Sequence, residues 1–164
     1  MTTSQEKGDS YEEFICQLIG NVKENGRDIR SIKWGRNNNI LGASGCKHQI
    51  DVSFIDHSFK KPTLVLIECK NTSKSVEKVQ IAAFQAIISD ILNHNKSPEF
   101  ALGIFAYAQN ARSGAVKFAK HYNIKMEKTG VRPNFTFHYK SLTQAGILFK
   151  GTGSLIANAT IAKS

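Results

Sequence analysis

The sequence predicts an α/β fold, a mixed central β-sheet flanked by helices. Three observations carry that expectation. Two β-rich runs, Gln49 to Asp56 and Thr63 to Lys70, lie close enough in sequence to pair as a hairpin. Two stretches, Ser10 to Asn25 and Ser75 to Asn93, repeat apolar residues at helical spacing. Beyond them a strand (Phe100 to Ala108), a helix (Ser113 to Tyr122) and a short strand (Ile124 to Glu127) alternate. The resulting order is α-β-β-β-α-β-α-β. Adjacent strands in the middle favour antiparallel pairing and helix-joined later strands favour parallel pairing, which together make a mixed sheet.

The first helix places Tyr11, Ile15, Leu18, Ile19 and Val22 on one stripe. Ser10 and Glu13 have the spacing of a capping box, and Gly26 follows as a C-cap. Asp28 to Trp34 alternates weakly and reads as a strand. Gly35 to Lys47 is rich in Gly, Asn and Ser and reads as a loop. In the strand Gln49 to Asp56, period-two geometry puts Ile50, Val52 and Phe54 on one face and Asp51 and Ser53 on the other. Pro62 precedes the next strand, TLVLIECK, which is apolar until Glu68. The helix from Ser75 is apolar almost all round (Val76, Val79, Ala83, Phe84, Ile87, Ile88, Ile91), so it packs on more than one side. Val116, Phe118 and Ala119 anchor the later helix. Asn134 to Lys140 alternates as a further strand, and the tail from Gly151 is expected to be partly disordered.

The 164 residues fit one domain, spanning 1–164, with a core at about 8–130 and a C-terminal extension at 131–164. A chain of this size buries enough surface to fold without disulfides or a structural metal. No window approaches the ~20 apolar residues that span a bilayer, and the polar start shows no secretory signal. Cys16, Cys46 and Cys69 are odd in number and form no CxxC pair, which points to a reducing cytoplasm. The net charge is +9, and from Phe100 to Ser164 nine Lys or Arg face one acid, Glu127. Such a surface attracts polyanions, nucleic acid first among them.

Strand periodicity sets Glu68 and Lys70 on one face and Cys69 on the other. A charged pair closing an apolar strand has two explanations: the strand emerges into water there, or the sheet's end carries a site. Asp51 weighs toward a site. If the two strands pair, Asp51 and Glu68 face one another, and close carboxylates raise each other's pKa. A divalent cation between them removes that penalty, and hard oxygen ligands suit Mg²⁺.

The series Gly8…Glu12, His48-Gln49-Ile50-Asp51-Val52 and Ile67-Glu68-Cys69-Lys70 resembles the PD-(D/E)xK nuclease superfamily, and within it the Mrr-like restriction endonucleases. The long helix from Val76, Gly103-Ile104-Phe105, Ala115, Ala119 and Ile124 fit the same pattern, so the resemblance runs from Gly8 to Met126. Ile50 stands where many such nucleases have proline. The resemblance implies a restriction-endonuclease-like core and a metal-dependent DNA endonuclease using Mg²⁺, with Mn²⁺ as a substitute. It implies Asp51 and Glu68 as metal ligands, Lys70 as the group that orients water and stabilises the phosphate, and Glu12 as a further acid for a second ion. Gln80, in the helix after the E-x-K strand, is the nearest candidate for the family's polar helper.

Other residues are weaker signals. His48 could touch metal or phosphate, or be an ordinary loop-end histidine. Cys46-x-His48 lacks a second pair for zinc. Gly42-Ala43-Ser44-Gly45 lacks the Gly-Lys-Ser/Thr ending of a phosphate loop. Lys47, Lys74, Lys78, Arg112, Lys117, Lys120 and Lys125 are candidate phosphate contacts if they cluster, and Trp34 and Tyr107 candidate stacking residues. Expected partners are DNA and, because one centre per chain cuts one strand, a second copy or a larger restriction or repair system. A branched-DNA (Holliday junction) resolvase, a repair nuclease and a catalytically silent DNA-binding module on the same fold are the alternatives.

Overall fold

The computed structural model describes residues 27–72, 74–94 and 98–128, with the backbone of 149–150. The first helix, the strand at 134–140 and the tail read from the sequence lie outside the described residues. Eight strands and two helices are described: β1 (Ile29–Trp34), β2 (Asn39–Leu41), β3 (Lys47–Gln49), β4 (Val52–Asp56), β5 (Thr63–Lys70), α1 (Lys78–Leu92), β6 (Phe100–Tyr107), α2 (Ser113–His121), β7 (Lys125–Lys128) and β8 (Phe149–Lys150).

The main sheet runs β1-β4-β5-β6-β7, with β8 pairing β6, and β2-β3 form a separate hairpin. β1, β4 and β5 are antiparallel neighbours, whereas β5, β6 and β7 are parallel. The sheet is therefore mixed, as the sequence predicts, and the switch falls on β5. Each parallel step is made through a helix, the usual crossover that brings the chain back to the end of the sheet where the previous strand began.

β5 is the centre of the core. Val65, Leu66 and Ile67 are fully buried, each contributing about 1.5–3 kcal/mol of burial. Val65 and Ile67 join Val52, Phe54, Leu102 and Ile104 on one face. Leu64 and Leu66 join Ile81, Phe84, Ile88 and Ile91 of α1, with Ala115 and Ala119 of α2, on the other. Gly103 lets α1 lie close to β6, because a Cβ there would come within 2.5 Å of Ile88 Cδ1. α1 packs on the sheet and on α2 as its apolar pattern requires, yet its outer side leaves Val79 67% exposed. No helix among the described residues is long and apolar enough to cross a membrane.

Three local readings need correction. The segment read as a loop contains β2, and β3 with it makes a hairpin. The strand expected from Gln49 begins at Val52, because residues 50 and 51 leave the ladder in a bend. As a result Ile50 does not share a face with Val52 and Phe54: it belongs to the α1-side cluster, and they belong to the opposite one. β1 also carries a bulge between Arg30 and Lys33, where Ser31 has φ 55°. That extra residue bends the edge strand and re-aims its end.

α2 ends as chemistry dictates. Asn123 takes φ 56°, and Ile124 N–H returns to Ala119 O at 2.9 Å, closing a left-handed cap that starts β7.

Candidate active site

The β4-β5 register pairs Val52 with Ile67, so Asp51 stands one step further on, across from Glu68. Its carboxylate turns inward: Oδ2 accepts the Cys69 N–H at 2.7 Å. Glu68 and Lys70 lie on the face of β5 that carries Leu64 and Leu66, and Cys69 packs against the opposite cluster. The strand passes from buried to half-buried at Glu68. The site thus sits where the central strand begins to meet solvent, with one acid from that strand and one from the bend that leads into its neighbour. Asp51 is near enough for its charge to bear on Glu68.

The electrostatics follow from that placement. On β6, the buried Phe105 is the register partner of Glu68 and Tyr107 that of Lys70. Burial, then the nearby Asp51 charge, push the Glu68 carboxyl from an ordinary 4.5 up to about 7, and Lys70 only partly offsets them. Glu68 makes no hydrogen bond or ion pair with any described side chain. Burial, then Asp51 and Glu68, also raise the Cys69 thiol well above its usual range.

A small buried polar knot holds Asp51 in place. Asn38, 2% exposed, donates to Ile50 O at 2.8 Å and to Lys33 O at 3.3 Å, and accepts from Ser53 Oγ at 3.0 Å. Its own carbonyl accepts Ile50 N–H, and Gly35 N–H donates to Asp51 O, both at 3.0 Å. Gly35 has φ 75°, a turn conformation that favours glycine. The Ile50 N–H and carbonyl and the Asp51 carbonyl all find partners here, which helps the bend to be buried.

A second knot anchors the β2-β3 hairpin to the last turn of α1. Asp90 accepts from Ser44 Oγ at 2.6 Å and Ser44 N–H at 2.8 Å, and meets His48 Nε2 at 2.6 Å. These contacts, the His48 one first, hold the Asp90 carboxyl down at about 2. Gly42 fits against it with no room for a Cβ beside the Asp90 carboxylate. His48 is therefore committed to a structural clasp.

The remaining candidates divide. Gln80 caps α1: its Oε1 accepts the Glu77 N–H at 2.8 Å. Glu12 lies outside the described residues. Among the described residues no group of three or more His, Cys, Asp or Glu is placed to hold a metal ion, neither at Asp51 and Glu68 nor at the His48–Asp90 contact. Lys47, Lys74, Lys78, Arg112, Lys117 and Lys120 are exposed, and Lys125 is half-buried. Arg112 pairs with Glu77 at 3.2 Å, and Lys78 Nζ lies 6.0 Å over the Phe118 ring. Tyr107 is half-buried, with its phenol raised by burial and Glu127. Trp34 is 50% exposed. Sequence reasoning missed Asn38, Ser53 and Asp90. The Asn37-Asn38-Asn39 run signals a turn, and nothing in sequence tells which asparagine is buried.

No family model matches the chain, and no curated protein is detectably similar to it. Among solved structures it is similar to the protein of unknown function AF1548, at 17% identity and a TM-score of 0.52, over 71% of this chain and 55% of that one. It also aligns with a repair endonuclease from Pyrococcus abyssi (13%, TM-score 0.42, 70% of this chain and 46% of that one). A third is the MspJI restriction endonuclease in complex with a 27-mer oligonucleotide (14%, TM-score 0.41, 78% and 32%). At 17% identity the first establishes a shared fold. The chain spans little more than half the length of that protein and less than half of the other two.

Proposed function

We propose that this chain is a metal-dependent nuclease that hydrolyses DNA phosphodiester bonds at Asp51, Glu68 and Lys70. One observation carries the reading: Asp51, in the bend that leads into β4, lies one step past the Val52–Ile67 pair and near enough for its charge to act on Glu68 at the solvent end of the central strand, with Lys70 on the same face of that strand as Glu68. The donor set fits a hard divalent cation. Two close carboxylates, one of them without a described partner, gain most from a positive charge between them. Asp51 is oriented for it by the Cys69 N–H, and Glu68 gives up its proton to join. When bound, Mg²⁺ or Mn²⁺ supplies positive charge against the phosphodiester oxygens and makes water more acidic. Lys70 holds its ammonium where the attacking water and the developing phosphate charge meet. Phe105 and Leu66 keep bulk water from the inner side, which strengthens each of these interactions. Glu12 is proposed as a further acid at this site; Gln80 contributes by fixing the start of α1. A restriction or repair setting and a homodimer, with one centre for each strand, complete the reading.

The test is nicking of supercoiled plasmid. Wild-type protein in Mg²⁺ converts it to open-circular and linear forms, and EDTA stops the reaction. Asp51→Ala and Lys70→Ala each lower the rate by roughly a hundredfold or more. Nicking that persists in both variants places the chemistry elsewhere, and wild-type protein that binds but never cuts makes the chain a binding module.

A further inference from the structure

We infer that the edge strand β1 and the β2-β3 hairpin form a nucleic-acid contact surface, with cations that take phosphates and Trp34 stacking on an unpaired base. The choice of polyanion rests on the nuclease reading; the surface itself rests on independent observations. From Ile29 to Ile50 the chain has no Asp or Glu. Arg30 is answered by Asp28 at 2.9 and 3.0 Å. Lys33, Arg36 and Lys47 are exposed, and their side chains have no acid partner among the described residues. Three uncompensated cations on one short module leave a charge that a polyanion complements.

The apolar part of the module is equally unusual. Of the four large hydrophobic side chains most exposed in the described chain, two belong to it: Trp34 at 50% and Leu41 at 42%. An exposed indole on a stretch of chain rich in cations offers the two parts of a base-stacking platform, a π-face for a base and positive charge for its phosphate. Trp34 ends β1 as the register partner of Val52, next to Asp51 in sequence, and the following residue, Gly35, bonds Asp51 O. The module therefore adjoins the bend that carries Asp51, with Trp34 on the Val52 face of the sheet, the one opposite Glu68 and Lys70.

The module is also held firmly enough to bind without first ordering itself. Asn38 fixes its inner end, and Asp90 clasps its outer end through Ser44 and His48. Binding to a preorganised surface avoids the entropy cost of folding a loop on contact.

Trp34 is the only tryptophan in the chain, so intrinsic fluorescence reads this surface alone. The experiment uses the full chain in EDTA, titrated with a labelled single-stranded oligonucleotide and with its duplex. Anisotropy follows binding and the indole emission follows stacking. The single strand is expected to quench the emission more than the duplex does. Arg36→Ala/Lys47→Ala is expected to weaken single-strand binding on the order of tenfold at moderate salt, and to flatten the slope of log K against log salt by about 1.4, two contacts at about 0.7 each. Lys60→Ala/Lys61→Ala removes the same charge at the far end of the sheet and serves as the control. An emission that stays constant while anisotropy saturates overturns the inference, as do equal losses in both double variants or no binding at all. Plasmid nicking is scored separately. A protein that quenches but never cuts sinks the nuclease reading alone, and one that cuts with no quench sinks this surface alone.

Discussion

The β4-β5 hairpin carries carboxylates at both ends, and the two ends treat them differently. At the turn end Asp56 is fully buried, and it comes with its own company: Arg27 Nε at 2.6 Å and the Ser58 N–H at 2.9 Å. At the open end Asp51 and Glu68 face each other, and Glu68 has no described donor or cation beyond the partial help of Lys70. A carboxylate kept for folding is neutralised within the chain. One left charged against another carboxylate destabilises the fold, and it persists where something outside the chain completes it.

Glu68→Gln breaks the comparison most sharply. It is expected to lower cleavage by on the order of a thousandfold, since one of two ligands and its charge are lost. The same change should stabilise the metal-free protein at pH 8. A carboxyl raised from 4.5 to about 7 favours the folded state while protonated, so the protein loses stability as pH climbs through that window. The sign is opposite to that of an ordinary ion-paired acid. The gain from Gln at pH 8 is at most about 3 kcal/mol, at about 1.4 kcal/mol for each pH unit between the two values. Thermal melts in EDTA from pH 5 to 8 test this. Wild type should lose stability relative to the variant as pH rises, and Mg²⁺ should restore it more at pH 8 than at pH 6. The Glu68→Gln protein should show neither trend. A wild type with a flat profile would mean that Glu68 ionises without penalty.

Asp56→Ala is the matching change at the other end, and its effect on stability runs the opposite way. Removing the acid leaves the Arg27 guanidinium, 13% exposed, facing a buried void, and such a broken pair costs roughly 3–5 kcal/mol. Denaturant unfolding gives the number directly. The two variants together decide whether the difference between the ends is one of function or of fold: one should gain stability and lose cleavage, the other lose stability first.

These two ends were unequally legible in sequence. The E-x-K strand could be read residue for residue, because β-branched runs bounded by Pro62 and a charged pair leave little freedom, and β5 spans the residues expected. The pairing of Asp51 with Glu68 was legible too, since register follows from the hairpin. The bend at 50–51 was not. It exists because Asn38, twelve residues away, satisfies the backbone of Ile50, and a period-two pattern carries no trace of a partner that distant. The β2-β3 hairpin was hidden for a related reason. Its strands are three residues each and their order is imposed by Asp90 from a helix, so local composition reads only as loop. Asn38→Ala measures how much that hidden knot contributes. With Ile50 O and Ser53 Oγ left without their buried partner, stability should fall by roughly 1–3 kcal/mol. If the knot also sets Asp51, the variant's Mg²⁺ requirement should shift to higher concentration while Ser53→Ala, which keeps the Ile50 contact, shifts it less.

Asp90 supplies the smallest test and the finest one. It resembles Asp56 in having its donors inside the chain, yet it sits at the surface, where screening by water weakens every contact it makes. Its carboxyl is held at about 2, so what it contributes is present at neutral pH and disappears only as acid protonates it. Asp90→Asn should therefore lower the melting temperature slightly at pH 7, and the difference from wild type should shrink as pH falls from 4 toward 2. The direction is the reverse of Glu68, whose penalty vanishes on protonation. Because Asp90 clasps the hairpin and not the acids, the variant should cut at near wild-type rate once bound, with any loss falling on DNA affinity. A fall in the maximal rate without a change in affinity would mean that the clasp reaches Asp51 through β3.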